Sequence, residues 1–278
     1  MKIMDASELY DPEFRKLIKS KKPTIIIPVG SIEQHGAHLP ITTDSDIVTE
    51  IASRLAKKCG FIAFPTISYG VSLEHEPLFN ISIEDLSLAN NLAGVVASLE
   101  KNKVKSIIIL NGHHGNMSAI EQFVGVVGMG YDDTELWKKF SSRTSLTSEF
   151  VDIPAPEPSL KEVFANLGEK GILFTTKVKA YSYWHWMKHE FDHAGFVETS
   201  IMLAISDKVK MKKAKKGLIT KGMSEKEIQR INKLSTQPGG FPKVAKNGVW
   251  GDPTKATKKD GEKFLAEIVR NLAKECQS

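Results

Sequence analysis

The stretch GSIEQHGAHLPITTDSD, residues 30 to 46, holds Glu33, His35, His38, Asp44 and Asp46. Carboxylate oxygens and imidazole nitrogens without a thiolate suit a catalytic Zn²⁺, Mn²⁺ or Fe²⁺ site better than a structural cysteine-type zinc. Glu33 and His35 are separated by one residue, so in an extended segment both side chains point the same way. Asp44 stands just ahead of a helical pattern over residues 46 to 58, where it would cap the helix and turn a carboxylate towards the pair. A carboxylate can bridge two cations, which one imidazole cannot. NGHHGN, residues 111 to 116, adds His113 and His114, and DHAGFVETS, residues 192 to 200, adds His193 and Glu198. Alone, any of these histidines would read as a hydrogen-bonded loop residue; several at neighbouring strand ends read as a site.

What must bring them together is a strand–helix alternation. TIIIPV (24 to 29) and VKSIIIL (104 to 110) are apolar on both faces, as buried parallel strands are, and FIAFPTI (61 to 67) is a weaker third. Between them, Ile47, Ile51 and Leu55 stripe one face of a helix that ends at Gly60. EDLSLANNLAGVVASLEKN gives a second helix and NMSAIEQFVGVVG a third, with Asn116 as its expected N-cap. ILFTTKVKAY reads as a returning strand, ETSIMLAIS as a buried helix, and DGEKFLAEIVRNLAKECQ as a terminal helix with one apolar face. The pattern implies an α/β fold with a parallel sheet covered on both sides. In such sheets ligands bind beyond the carboxyl ends of the strands, and the first two polar segments begin where strands 24 to 29 and 104 to 110 end. Residues 131 to 170, which include PAPEP, break the rhythm and are expected to form an excursion or lid on a single domain of residues 1 to 278. Asp252, before Pro253, reads as a turn or helix-entry residue.

Composition bounds the alternatives. The 278 residues are 41% hydrophobic and 26% charged, with two cysteines, Cys59 and Cys276, in no CxxC pair. A disulfide framework is not expected, a reducing cytoplasm is the default location, and no apolar run reaches membrane-spanning length. The net charge of +5 gathers in KVKMKKAKKG, residues 208 to 217, which reads as a solvated face rather than a nucleic-acid grip. A dinuclear phosphoesterase would be expected to show a cage richer in Asp and Asn with phosphate-cradling glycine loops. A non-catalytic binding or assembly module would be expected to lack the metal.

Taken in order, GSIEQHGAHLPITTD, YGVSLEH (69 to 75), NGHHGN, HAGFVETS and GVWGDPTKATKKDGEKFL resemble the creatininase (creatinine amidohydrolase) family along nearly the whole chain. The resemblance implies a three-layer αβα sandwich with a mostly parallel central sheet, and a metal-dependent hydrolase of small cyclic or formamide-type amides. It implies two divalent metal ions (Zn, Mn or Fe) per subunit and a homo-oligomer, commonly a hexamer. Carried over by position, Glu33, Asp44 and His113 hold one metal, while His35 and Asp44 hold the second. Gly115 stands where creatininase proper has a glutamate that completes the second metal, and Glu198 is the expected replacement. His193 corresponds to the family's proton-transfer histidine. Ser72, His75, His114, Trp184 and Trp186 are expected to line the substrate pocket, the tryptophans as walls for a flat ring or as core anchors. A small-molecule amide is the expected partner, with neither nucleic acid nor membrane. Other branches of the family deformylate a ribosylaminopyrimidine intermediate or trim a peptide-derived redox cofactor.

Overall fold

A computed structural model describes residues 5–126 and 175–277. After helix α1 (Asp11–Lys21), the chain enters strand β1 (Ile25–Val29), the short β2 (Ile32–Glu33) and helix α2 (Thr43–Cys59). Strands β3 (Ile62–Ala63) and β4 (Asn80–Ile81), helix α3 (Asp85–Lys101), strand β5 (Ser106–Asn111), helix α4 (Met117–Val126) and strand β6 (Lys177–Ser182) follow. Helices α5 (Phe196–Ile205), α6 (Glu225–Ser235), α7 (Phe241–Val244) and α8 (Lys258–Gln277) complete the described chain. The main sheet is parallel in the order β3-β1-β5-β6. Leaving β1, the chain runs by way of α2 to one side; the next crossover, through α3, carries it over to β5 on the other. The carboxyl ends of β1 and β5 therefore flank the point where strand order reverses, the crevice in which open α/β sheets bind ligands.

Both faces of the sheet are covered because its strands carry apolar residues at consecutive positions. Ile26, Ile108 and Leu110 pack with α2, α5 and α8, whereas Ile25, Ile27, Val29, Ile107 and Ile109 pack with α1, α3 and α4. The result is the expected three-layer sandwich. Helix α8 closes one layer, burying Leu265, Ile268, Leu272 and Ala273 mainly against α5 and α2.

Several local expectations shift. Helix α2 begins at Thr43 after Thr42, three residues earlier than its apolar stripe suggests, so Asp44 lies inside the first turn and does not cap it. Gly60 ends the helix at φ 78°, as expected. The third strand shrinks to Ile62–Ala63, continued only by a bridge between Val29 and Ile67. Asn116 does not cap α4, because its amide accepts from Val71 N (2.9 Å) and donates to Gly30 O (2.9 Å), tying two loops together. Asp252 accepts from Thr254 N at 3.1 Å and so opens a short helical turn. The lysine-rich run lies on the surface, anchored by Lys210 N on His38 O at 2.8 Å. No described helix is long and apolar enough to cross a membrane. The excursion expected over 131 to 170 falls outside the described residues.

Gly112, directly after β5, sets how closely α2 approaches the sheet: a Cβ there would stand 2.7 Å from Val48 Cβ and 2.8 Å from Asp44 O. The α2 core face is expected to dominate stability. Ile51→Ala, at a fully buried position, should lower the unfolding free energy by ~2–5 kcal/mol in denaturant titration without altering the slope.

Candidate metal centre

Four elements deliver the polar side chains. Glu33 sits on β2, which pairs antiparallel with β4 and places Glu33 opposite Asn80. His35 follows two residues later, Asp44 rises from the first turn of α2, His113 leaves the end of β5, and Glu198 lies in the first turn of α5. Among the described residues, four sets of donors each have all their ligand atoms within 4.8 Å: Glu33 with Asp44 and His113, His35 with Asp44 and Glu198, Glu33 with His35 and His193, and Glu33 with Glu74 and His75; the first two share Asp44. One of its oxygens, Oδ1, lies 3.1 Å from His35 Nε2, and the other, Oδ2, lies 3.1 Å from His113 Nδ1. Glu198 Oε2 is 3.6 Å from His35 Nε2, and Glu33 Oε2 is 3.2 Å from His113 Nε2.

These separations have a simple geometric meaning. Donor atoms ~2.1 Å from one ion and ~90–110° apart lie about 3.0–3.4 Å from each other. Several of the close approaches are not hydrogen bonds: both oxygens of Glu33 and Oδ2 of Asp44 are buried and accept none. Orphaned buried carboxylate oxygens are costly unless a cation meets them.

The ring nitrogens agree. His35 Nδ1 donates to Glu33 O at 3.1 Å, which leaves the Nε2 lone pair facing Asp44 and Glu198. His113 Nε2 donates to Val71 O at 2.7 Å, which leaves Nδ1 facing Asp44. In each ring one nitrogen is held by a backbone carbonyl while the other faces an Asp44 oxygen at 3.1 Å, the orientation by an outer partner that metal-binding histidines show.

Charge balance points the same way. Burial alone would lower the His35 pKa, but the Asp44 carboxylate, followed by Glu198 and Glu33, outweighs it and holds the ring at about 10. His113 is likewise held well above its usual value, burial being overcome by Glu33 and Asp44. Burial, relieved in part by His35 and reinforced by Asp44, pushes Glu198 up to about 8. The buried acids thus draw protons onto themselves and their neighbours, and divalent cations would supply the same positive charge. The residues present fit such ions.

His193 stands beside this core, with Nδ1 3.7 Å from Glu33 Oε1 and its ring 4.3 Å from that of His35. Burial, and then His35 and His75, hold its pKa well below the usual value. Its main chain exchanges hydrogen bonds with Trp250 (3.1 and 2.8 Å), so the late GVWGDP motif braces the site. The residues expected to line a pocket separate into different settings. His75 is buried, with Nε2 2.9 Å from Glu33 Oε1. Ser72 is fully buried with its hydroxyl on that of Ser31. His114 stacks on Trp184, centroids 6.1 Å apart, and Trp184 stacks in turn on Phe191. Trp186 meets Tyr181 edge-on, and its carbonyl accepts from Asn271 of α8 at 2.9 Å.

Sequence reasoning passed over two residues. Gln34 lies between two candidate ligands; its Oε1 accepts from Gly36 N (3.0 Å), which aims Nε2 at His75 Nδ1 (2.9 Å) and His193 Nε2 (3.1 Å). The other His75 nitrogen, Nε2, faces Glu33 Oε1 at 2.9 Å without making a hydrogen bond to it. Asp192 accepts from Val197 N (2.9 Å) and Glu198 N (3.3 Å), fixing the turn that presents Glu198. The position of Gln34 inside EQHG was the available signal for the first; Asp192 gave none beyond its proximity to His193.

The chain is similar to known proteins at several levels of identity. The chain is 26% identical over 264 residues to the mycofactocin precursor peptide peptidase of Mycolicibacterium smegmatis, covering 92% of this chain and 85% of that one. It is 23% identical over 207 residues to the creatinine amidohydrolase of Pseudomonas putida, covering 71% and 70%. A crystal structure of creatininase superposes with a TM-score of 0.66 at 18% identity, covering 99% of this chain and 97% of the other, which shows a common fold. Among the similar solved structures are a point mutant of creatininase in a Zn–Zn form and creatininase with Mn. The creatininase family pattern, creatinine amidohydrolase, matches residues 7–276, and the chain belongs to that family of amidohydrolases.

Proposed function

We propose that this chain hydrolyses a C–N amide bond in a small molecule with two divalent cations, zinc or manganese, held by Glu33, Asp44 and His113 and by His35, Asp44 and Glu198. The observation that carries the reading is the pair of donor sets that share Asp44. Bound there, divalent cations lower the pKa of water towards about 7 and polarise an amide carbonyl.

The chain's own residues supply orientation and proton handling. Val71 O and Glu33 O hold the rings of His113 and His35, so the inward nitrogens meet substrate-side chemistry in one fixed geometry. Tyr183, buried beneath α5, points its hydroxyl at Glu198 Oε1 (3.5 Å), while Ala194 N donates to Oε2 (2.7 Å). His193 is the group that carries a proton to the leaving nitrogen. Its Nε2 lies 3.1 Å from both the side-chain amide and the backbone carbonyl of Gln34. One neighbour donates and the other accepts, so this nitrogen is satisfied with or without hydrogen, leaving Nδ1 free to exchange a proton on the reaction side.

Metal content is expected to follow the shared ligand. Elemental analysis of purified protein should give two divalent ions per chain, about one in Glu198→Ala, and fewer than one in Asp44→Ala. Equal loss from both variants would contradict the bridging role.

Activity is expected to need both the ions and His193. A panel of creatinine, formamidopyrimidines and small peptide amides should show hydrolysis that chelation abolishes and zinc or manganese restores. His193→Ala should lower kcat by about 100-fold or more while keeping the metal. Undiminished turnover in the stripped protein would remove the proposal.

A further inference from the structure

Glu74 lies outside the two donor sets that share Asp44 and reaches the same cluster from its edge, in a group with Glu33 and His75. It lies in the helical turn Leu73–His75, and its side chain is 13% exposed, whereas that of Asp44 is 3% exposed and that of Glu33 is fully buried. Its Oε1 is 3.5 Å from His113 Nε2 and 3.9 Å from His75 Nε2. His113 Nε2 has a nearer acceptor in Val71 O at 2.7 Å, and His75 Nε2 lies nearer to Glu33 Oε1, at 2.9 Å. Glu74 therefore makes only these long contacts, and its side chain is the most exposed of the three carboxylates.

The space it fills exists because residue 115 has no side chain. A Cβ on Gly115 would stand 2.6 Å from Glu74 Oε1, 2.5 Å from His113 Nε2 and 2.2 Å from Val71 O. A second carboxylate reinforces the negative character here. Asp85 Oδ1 is buried and accepts no hydrogen bond, and burial, with the charge of Glu74 behind it, pushes the Asp85 carboxyl up. Among the described residues, the ion pairs of Glu74 are with His75 and His113 alone, and no lysine or arginine neutralises it. An incompletely paired carboxylate next to the reacting centre selects for a cation in whatever binds.

We propose that Glu74 is the specificity-determining carboxylate of this site and that it selects amides bearing a primary ammonium group beside the scissile carbonyl, as in α-amino amides. The inference rests on the amidohydrolase reading for its kinetic part and on Glu74 alone for its binding part. The ammonium donates a charge-assisted hydrogen bond to the carboxylate, which orients the neighbouring carbonyl over the histidines and acids.

Glu74→Gln keeps the shape and removes the charge, and Glu84→Gln, at the exposed start of α3, is the control. Two readouts are compared in metal-loaded protein of measured metal content. The first is kcat/KM for L-alaninamide against N-acetyl-L-alaninamide. The second is the calorimetric Kd of L-alaninol, which keeps the ammonium and has no amide to cleave. Glu74→Gln should lose about 10- to 100-fold in kcat/KM on the free amine, mostly through KM, and weaken alaninol by a similar factor. It should leave the acetylated amide and the metal content unchanged. Glu74→Asp, which withdraws the same charge by one methylene, should fall between Gln and the native residue and serves if Glu74→Gln does not fold. An unchanged preference together with unchanged alaninol binding overturns the role of Glu74 while leaving the hydrolase standing. Loss of metal in Glu74→Gln also overturns it, by making Glu74 a ligand. If the native protein cleaves neither amide yet binds alaninol in a Glu74-dependent way, the hydrolase reading fails and the ammonium site stands.

Discussion

Buried negative charge is the constraint around which this protein is organised. Glu33, Asp44 and Glu198 are all buried, and two donor sets that together contain all three share Asp44. Each carboxylate taken from water into a protein interior costs several kcal/mol unless positive charge meets it. Histidine protons can meet part of that demand, as the raised values of His35 and His113 show. Divalent cations would meet it more fully, and that difference is what supports reading the cluster as a site for ions.

The fold holds this arrangement by rigid means. The acids and imidazoles stand at the reversal point of a parallel sheet, where the loops after β1 and β5 diverge and leave a crevice. Backbone contact between Gly112 and the first turn of α2 sets the distance from β5 to Asp44. Asn116 ties the loops holding Gly30 and Val71, and Val71 O in turn fixes the His113 ring. Trp250 clamps the main chain at His193, and Asp192 and Tyr183 control the presentation of Glu198. The late aromatic segment and the helix-entry turn thus act on the chemistry without contributing donors to the two ligand sets.

The legible part of the sequence was the part with strong periodicity or strong chemistry. β1 and β5 stood out as runs of isoleucine, because strands buried on both faces have no polar alternation to blur them. The donor-bearing segments stood out because Glu, Asp and His crowd loops that begin where those strands end. The β2–β4 pair did not, since two-residue strands carry no period. The start of α2 was misplaced because its first turn is polar: Thr43, Asp44 and Ser45 are buried for the site and not for the core, so the apolar stripe begins too late to mark the boundary. Asn116 has the residue type of a cap but spends its amide on distant loops, a choice visible only in three dimensions. Gln34 was hidden because an amide is a poor metal donor. Its importance lies in holding one ring nitrogen of each of its two histidine neighbours.

Anomalous scattering from crystals grown with zinc or manganese tests the account most directly. Two peaks are predicted, one among Glu33, Asp44 and His113 Nδ1, the other among His35 Nε2, Asp44 and Glu198, with Asp44 touching both. A single ion, or ions held elsewhere with Asp44 bridging nothing, would contradict it.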